Sequence, residues 1–245
     1  MKNGSEYARR IKRLFRQLQR ESGGWEPGEP TDPLEQLVVA VLSARTTPEQ
    51  GRKALRRLSD HMVDFNELRV SAPAEVSVLI KDLIPDNSER AKALLAVLNA
   101  VYQAEYAVDL RGLRDLGLRE ARKYLESLDG SDPHAAASVL LWSLGGHAIP
   151  VSPRLLEALR AGDLVDTDST LPEVQSFLER HISATDARLF CHLMESYASG
   201  RARGGSEKSS TSSPRKPVAA KTVEKPAKRT RAGAASVARK KKARS

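Results

Sequence analysis

The residues that could do chemistry are concentrated between positions 128 and 155. Gly130 lies in a turn just before a helix, a setting in which backbone amides and the positive helix end can bind phosphate. His134 offers an imidazole, and eighteen residues later Ser152 offers a hydroxyl. An imidazole cannot form a stable Schiff base, and a hydroxyl carries no charge with which to stabilise a developing cation.

Two carboxylates flank the turn that could bind phosphate. Asp129 precedes Gly130, and Asp132 follows Ser131. Exposed carboxylates would repel a phosphate by at most a few kcal/mol, roughly, and salt would reduce that repulsion. We therefore predict a weakened phosphate site, with Gly130 and Ser131 as the residues that would contact it.

Capping signals predict the helices that position these residues. Asp132 is followed by proline and then by a mostly apolar run, and Ser152 is followed by proline in the same way. A side-chain oxygen before a proline at the first helical position is the usual start of a helix. A capping residue followed three positions later by glutamate or glutamine places further helix starts at Asp32, Thr47 and Thr170. We therefore expect the Ser152 hydroxyl to cap its helix. We expect His134, which lies beside Pro133 in the first turn of its helix, to be exposed and structural.

The whole pattern predicts an all-α fold. Residues 37–42 are apolar on every side, which is typical of a central helix. Residues 64–81 read as two short helices, and no stretch shows convincing strand alternation. Residues 5–21 form an amphipathic helix with a basic outer face, which either packs on the domain with solvated arginines or contacts phosphate directly.

Positive charge is concentrated at the two ends of the chain. Residues 201–245 hold fifteen Lys/Arg against two Asp/Glu, and residues 1–22 hold seven against two, whereas residues 23–200 have a net charge near −9. With Ser, Lys, Pro and Ala repeats and few large apolar side chains, residues 201–245 are predicted to be a disordered tail. A polyanion would be held mainly by the termini, with Lys240, Lys241 and Lys242 the densest cluster.

The cysteine content excludes disulfide-stabilised folds and cysteine-ligated clusters. Cys191 is the only cysteine, so no intrachain disulfide and no four-cysteine iron–sulfur cluster can form. The neighbouring His192 does not complete a metal site, because adjacent helical residues point about 100° apart. No long apolar run or signal-peptide core is present, so we expect a soluble intracellular protein that does not associate with membranes.

Two segments resemble the helix-hairpin-helix (HhH-GPD) DNA glycosylases, specifically the endonuclease III branch. The turn, helix, loop and helix of residues 128–155 follow that family's hairpin without gaps, and residues 42–47 match its Leu-Ser-Ala-Gln-Thr-Thr at five of six positions. The resemblance covers roughly residues 32–199. It implies a two-lobed helical fold and a role in base-excision repair.

The same resemblance implies that the chemistry has changed. His134 stands where the family has its catalytic lysine, and Ser152 stands where it has its catalytic aspartate. Arg45 replaces the glutamine that fills the gap left by an extruded base. A planar guanidinium could still wedge or stack there, or Arg45 could be a plain exposed loop residue.

Three functions remain open at this point. The first is a catalytically degenerate DNA-binding protein of this superfamily, monomeric and without cofactors, which binds duplex DNA largely independently of sequence through its tail. The second is an active glycosylase whose carboxylate has been relocated to Asp129, Asp132 or Glu157. The third is a protein-interaction module with a nucleoid-anchoring tail. We expect a cytoplasmic, nucleoid-associated protein, or a nuclear one in a eukaryotic cell.

The resemblance also gives predicted boundaries. Residues 1–22 form a basic helix that packs on the second lobe, and residues 23–31 form a loop. Residues 32–200 form the glycosylase-like domain, with a central lobe at 32–146 and a second lobe at 150–200 that includes the N-terminal helix. Residues 201–245 form the basic tail.

Overall fold

The structure is a computed structural model that describes residues 4–206. Within that range the regular secondary structure is all helix, joined by loops and turns. A short 3₁₀ turn spans Arg111–Asp115. The α-helices are α1 (Gly4–Glu21), α2 (Pro33–Ser43), α3 (Pro48–His61), α4 (Phe65–Val70), α5 (Pro73–Ile80), α6 (Asn87–Glu105), α7 (Leu118–Ser127), α8 (Pro133–Trp142), α9 (Pro153–Ala161), α10 (Leu171–His181) and α11 (Ala187–Ser206). The predicted all-α class is confirmed. Most of the predicted tail, including Lys240, Lys241 and Lys242, lies outside the described residues.

The helices begin at the predicted caps. Asp32 Oδ1 accepts a hydrogen bond from the Leu34 amide at 2.9 Å, and Thr47 Oγ1 accepts one from Gln50 at 3.2 Å. Each bond satisfies an amide that has no partner within its helix. The starts of the helices around the candidate residues are therefore fixed by local sequence.

Helices α2 and α8 form the centre of the core. Almost every residue of both helices is buried, which explains why their apolar residues show no single face. The Thr31 amide, just before α2, donates to the Trp142 carbonyl at the end of α8 at 3.2 Å. The start of α2 therefore lies at the end of α8, and α3, α6 and α7 pack around this pair.

A second group of helices packs through α11. Phe15 of α1 meets Phe190 of α11 edge to face, with ring centroids 5.5 Å apart. The loop after α1 is held by Trp25, which stacks on His192 at 4.4 Å. No helix within residues 4–206 combines the length and apolar character needed to cross a bilayer.

Candidate nucleic-acid interface

The turn between α7 and α8 is pressed against α6. Gly130 has φ +81°, a left-handed conformation that favours glycine. A Cβ atom at this position would collide with the Ala93 carbonyl oxygen and lie 3.0 Å from the Val97 nitrogen. The glycine that the sequence assigned to phosphate binding therefore also allows the hairpin to pack on α6.

The three polar side chains of this turn differ in their surroundings. Asp132 Oδ1 accepts a hydrogen bond from the Ala135 amide at 2.7 Å, which is the predicted cap of α8. Ser131 Oγ is buried and makes no hydrogen bond among the described residues. Asp129 is exposed beside them. The turn thus presents a carboxylate outward, while its one hydroxyl faces inward.

His134 is buried, and the expectation that it would be exposed is wrong. Its exposed fraction is 6%, and every residue that follows it as far as Leu141 in α8 is also buried. Its Nδ1 atom has no hydrogen-bond partner among the described residues and lies 4.0 Å from Asp132 Oδ1. Burial lowers the pKa of His134, and the nearby carboxylate of Asp132 opposes this only in part. The imidazole is therefore held in its neutral form.

Ser152 is a buried helix cap. Its exposed fraction is 2%, and its Oγ atom accepts a hydrogen bond from the Leu155 amide at 3.1 Å. This is the role that the sequence predicted for the hydroxyl. No hydrogen bond or ion pair among the described residues joins Ser152 to His134.

Arg45 projects from the loop between α2 and α3. Its side chain is 67% exposed, and its Nε atom lies 3.9 Å from Asp86 Oδ2. That carboxylate oxygen is closer to the Nε atom of Arg90, at 3.0 Å. Arg45 is therefore weakly held and free to meet a ligand.

Arg154 contacts the segment that carries Arg45, and the sequence analysis did not single it out. Its Nε atom donates to the Thr46 carbonyl at 3.2 Å, and its Nη1 atom donates to Ser199 Oγ at 3.3 Å. Its Nη2 atom pairs with the carboxylate of Glu195. Burial raises the pKa of Glu195, and the guanidinium of Arg154 opposes that shift. No periodic or capping signal marks either residue, because the pair forms between distant parts of the chain.

The structure relates the candidate residues through two supports. Helix α6 contacts Arg45 through Asp86 at its start and receives Gly130 at Ala93, two turns later. Seven residues of helix correspond to roughly 10 Å along the axis. Arg154 ties the segment that carries Arg45 to α9 and α11, and α9 begins at Ser152.

Solved structures of DNA glycosylases share this arrangement of helices. Endonuclease III in a non-covalent DNA complex aligns at 20% identity with a TM-score of 0.60, covering 77% of this chain and 84% of that chain. The 8-oxoguanine glycosylase/lyase of Clostridium acetobutylicum, in complex with double-stranded DNA, aligns at 17% identity with a TM-score of 0.61, covering 83% of this chain and 71% of that chain. The 3-methyladenine DNA glycosylase of H. pylori, bound to 1,N6-ethenoadenine, aligns at 15% identity with a TM-score of 0.58, covering 81% of this chain and 98% of that chain.

The chain has the fold of the HhH-GPD DNA glycosylases. The resemblance in residues 42–47 and 128–155 therefore predicted the fold correctly. No protein-family model and no curated protein matches the sequence.

Within this glycosylase fold, the candidate residues lie away from the two cavities beside α7. Two cavities lie beside the start of α7, and neither is lined by Arg45, Gly130, His134 or Ser152. Arg154, in the first turn of α9, instead donates to the Thr46 carbonyl and pairs with Glu195 of α11. Arg45 is therefore exposed, whereas Arg154 is held by hydrogen bonds within the protein.

Three carboxylates were predicted as possible replacements for the missing acid. Asp129 and Glu157 are exposed, and Asp132 is engaged in capping α8. Glu195, which the sequence analysis did not single out, has a side chain that is 24% exposed, and it contacts the first turn of α9 through Arg154. The sequence could not indicate it, since a glutamate in the last helix looks like any solvated side chain.

Proposed function

We propose that this protein binds duplex DNA with a glycosylase fold in which the residues for base excision have been replaced. The observation that carries the proposal is the state of Ser152, whose hydroxyl is 2% exposed and committed to the Leu155 amide. A hydroxyl in that position supplies neither negative charge for a cationic sugar nor a base for a nucleophile. His134, neutral and buried, supplies no amine.

The distribution of charge supports DNA as the ligand. Exposed basic residues cover the outer face of α1, namely Arg9, Lys12, Arg13, Arg16 and Arg20. Residues 201–245 add fifteen lysines and arginines against two acidic residues. Since phosphate contacts carry no sequence information, binding through these groups would be largely independent of sequence.

A salt titration tests DNA binding by the full chain. Counterion release predicts that log Kd rises linearly with log salt concentration, with a slope of about 0.9 for each phosphate neutralised. We expect residues 1–206 to bind the same fluorescent duplex more weakly and with a smaller slope. An unchanged slope would remove the tail from the proposal. No binding by residues 1–206 at any salt concentration would favour the interaction-module hypothesis for the folded part.

An active glycosylase is the second candidate function, and Glu195 is the observation that favours it. This carboxylate is largely buried, its pKa is raised by burial, and it reaches the start of α9 through Arg154. Buried carboxylates with shifted pKa values occur at many catalytic sites.

Base release from a panel of duplexes with damaged bases separates the two candidates. Our proposal predicts no released base for the native chain. Release that disappears in Glu195→Gln, and persists in a control Glu157→Gln on the exposed side of α9, would establish the second candidate instead.

A further inference from the structure

A groove lies at the far end of the α7–α8 hairpin from Gly130. It consists of two adjoining cavities of about 520 Å³ and about 180 Å³, which share Leu118 as a wall. Helix α7 has ten residues, so the groove is roughly 15 Å from the hairpin turn along that helix. A molecule in the groove would leave the turn accessible.

Leucine side chains form the apolar part of the groove's lining. Five leucines contribute to the two cavities: Leu113, Leu116, Leu118, Leu140 and Leu144. Leu116 and Leu118 are 43% and 47% exposed, although burial of a leucine side chain is energetically favourable. Gly146 fits tightly beneath them, because a Cβ there would lie 2.9 Å from Leu118 Cδ2. A side chain at position 146 would therefore push Leu118 out of its present place in the groove.

Arginines outnumber carboxylates among the residues that line the groove. Arg114, Arg119 and Arg122 line the cavities, against the single carboxylate of Glu29. Arg122 is paired with Glu179 at 3.0 Å. The other two arginines are exposed and form no ion pair among the described residues, and Arg114 reaches only a carbonyl oxygen at 3.5 Å. Asp115 and Glu120 are exposed nearby but line neither cavity.

We propose that this groove docks a short, acidic amphipathic segment of a partner protein. Its apolar side chains would cover Leu116 and Leu118, and its carboxylates would pair with Arg114 and Arg119. Apolar centres with a charged rim are typical of protein interfaces. The phosphodiester backbone of DNA offers much less apolar surface than leucine side chains do, and residues 201–245, with two acidic residues against fifteen basic ones, could supply few carboxylates to Arg114 and Arg119. The inference goes beyond DNA binding and does not depend on it.

Two synthetic peptides of identical composition test the proposal. One places leucines on one face of a helix and glutamates on the other, and the second is its scrambled form. Because residues 201–245 attract any acidic peptide, binding in the groove is measured as the preference for the amphipathic peptide over the scrambled one. By fluorescence anisotropy with the full chain, we expect at least a ten-fold preference.

Three single variants assign that preference to the groove. Leu118→Glu and Arg119→Glu should each remove it, whereas Val78→Glu, at a position on α5 that is 62% exposed, should retain it. Circular dichroism verifies that each variant is folded. Equal affinity for the two peptides, or a preference that survives Leu118→Glu, would overturn the proposal.

Two further outcomes would assign the groove to another occupant. Loss of duplex DNA affinity in both Leu118→Glu and Arg119→Glu would make it part of the DNA interface. A dimer that sedimentation detects in the native chain and loses in Leu118→Glu would make it a contact between copies. Either result overturns docking of a partner segment, and neither bears on whether the chain excises bases.

Discussion

At the scale of residues, the distinction between capping and catalysis rests on which atoms are already bonded. Ser152 Oγ holds the first turn of α9, and Asp132 Oδ1 holds the first turn of α8. Both side chains stabilise helix starts, typically by about 1 kcal/mol each. Helix capping therefore explains why these two side chains are where they are, and no catalytic role is needed to explain them.

Burial of His134 makes the stability of the protein depend on pH. Its folded pKa lies below the ordinary value of 6.5, so the unfolded chain binds more protons between the two values. Stability is therefore complete above pH 6.5 and is lost as the pH falls through that window, by at most about 1.4 kcal/mol per pH unit. Burial, and then Arg52, lower the pKa of His192 in the same direction.

Urea unfolding at pH 7, 6 and 5 measures this dependence. We expect the free energy of unfolding to decline less steeply in His134→Gln than in the native chain, with a remaining slope from His192. The matched control is His61→Gln, since His61 is exposed. A native slope in His134→Gln would show that the imidazole is not held neutral.

At the scale of elements, α6 and Arg154 keep the interface together. Helix α6 receives the hairpin turn at Gly130, and Arg154 ties the loop after α2 to α9 and α11. Replacing one partner of a largely buried ion pair leaves the other uncompensated, so Arg154 and Glu195 depend on each other. Arg45 is positioned by these supports and contributes little to them.

Two glycines separate backbone strain from packing in the hairpin. Gly130 and Gly145 both have positive φ, but a Cβ at Gly145 would enter open space, whereas one at Gly130 would collide with α6. We expect Gly145→Ala to cost about 1 kcal/mol from its conformation alone. Gly130→Ala should cost roughly 1–3 kcal/mol more from overpacking. Chemical denaturation of both variants measures the difference, and equal costs would show that the hairpin does not press on α6.

At the scale of the whole molecule, the fold could be predicted from the sequence because its signals are local. Caps at Asp32, Thr47, Asp132 and Ser152 set the helix starts, and the spacing of residues 128–155 matched a known hairpin.

The interior of the candidate site could not be predicted in the same way. The burial of His134 depends on how α8 packs against the other helices, and the Arg154–Glu195 pair joins residues 41 positions apart. Both follow from tertiary packing, which a local signal does not carry.

The central claim is that a glycosylase fold has been kept without the amine that would attack the sugar and without the carboxylate that would stabilise positive charge on it. Sodium borohydride trapping on a duplex with an abasic site tests it most directly, because reduction makes any Schiff base between a protein amine and the sugar permanent. Endonuclease III, which has been trapped as a covalent DNA intermediate, provides the positive control. Mass spectrometry of digested adducts separates the folded residues from the lysine-rich tail. We predict no adduct within residues 4–206, and an adduct on an amine in that range would contradict the account.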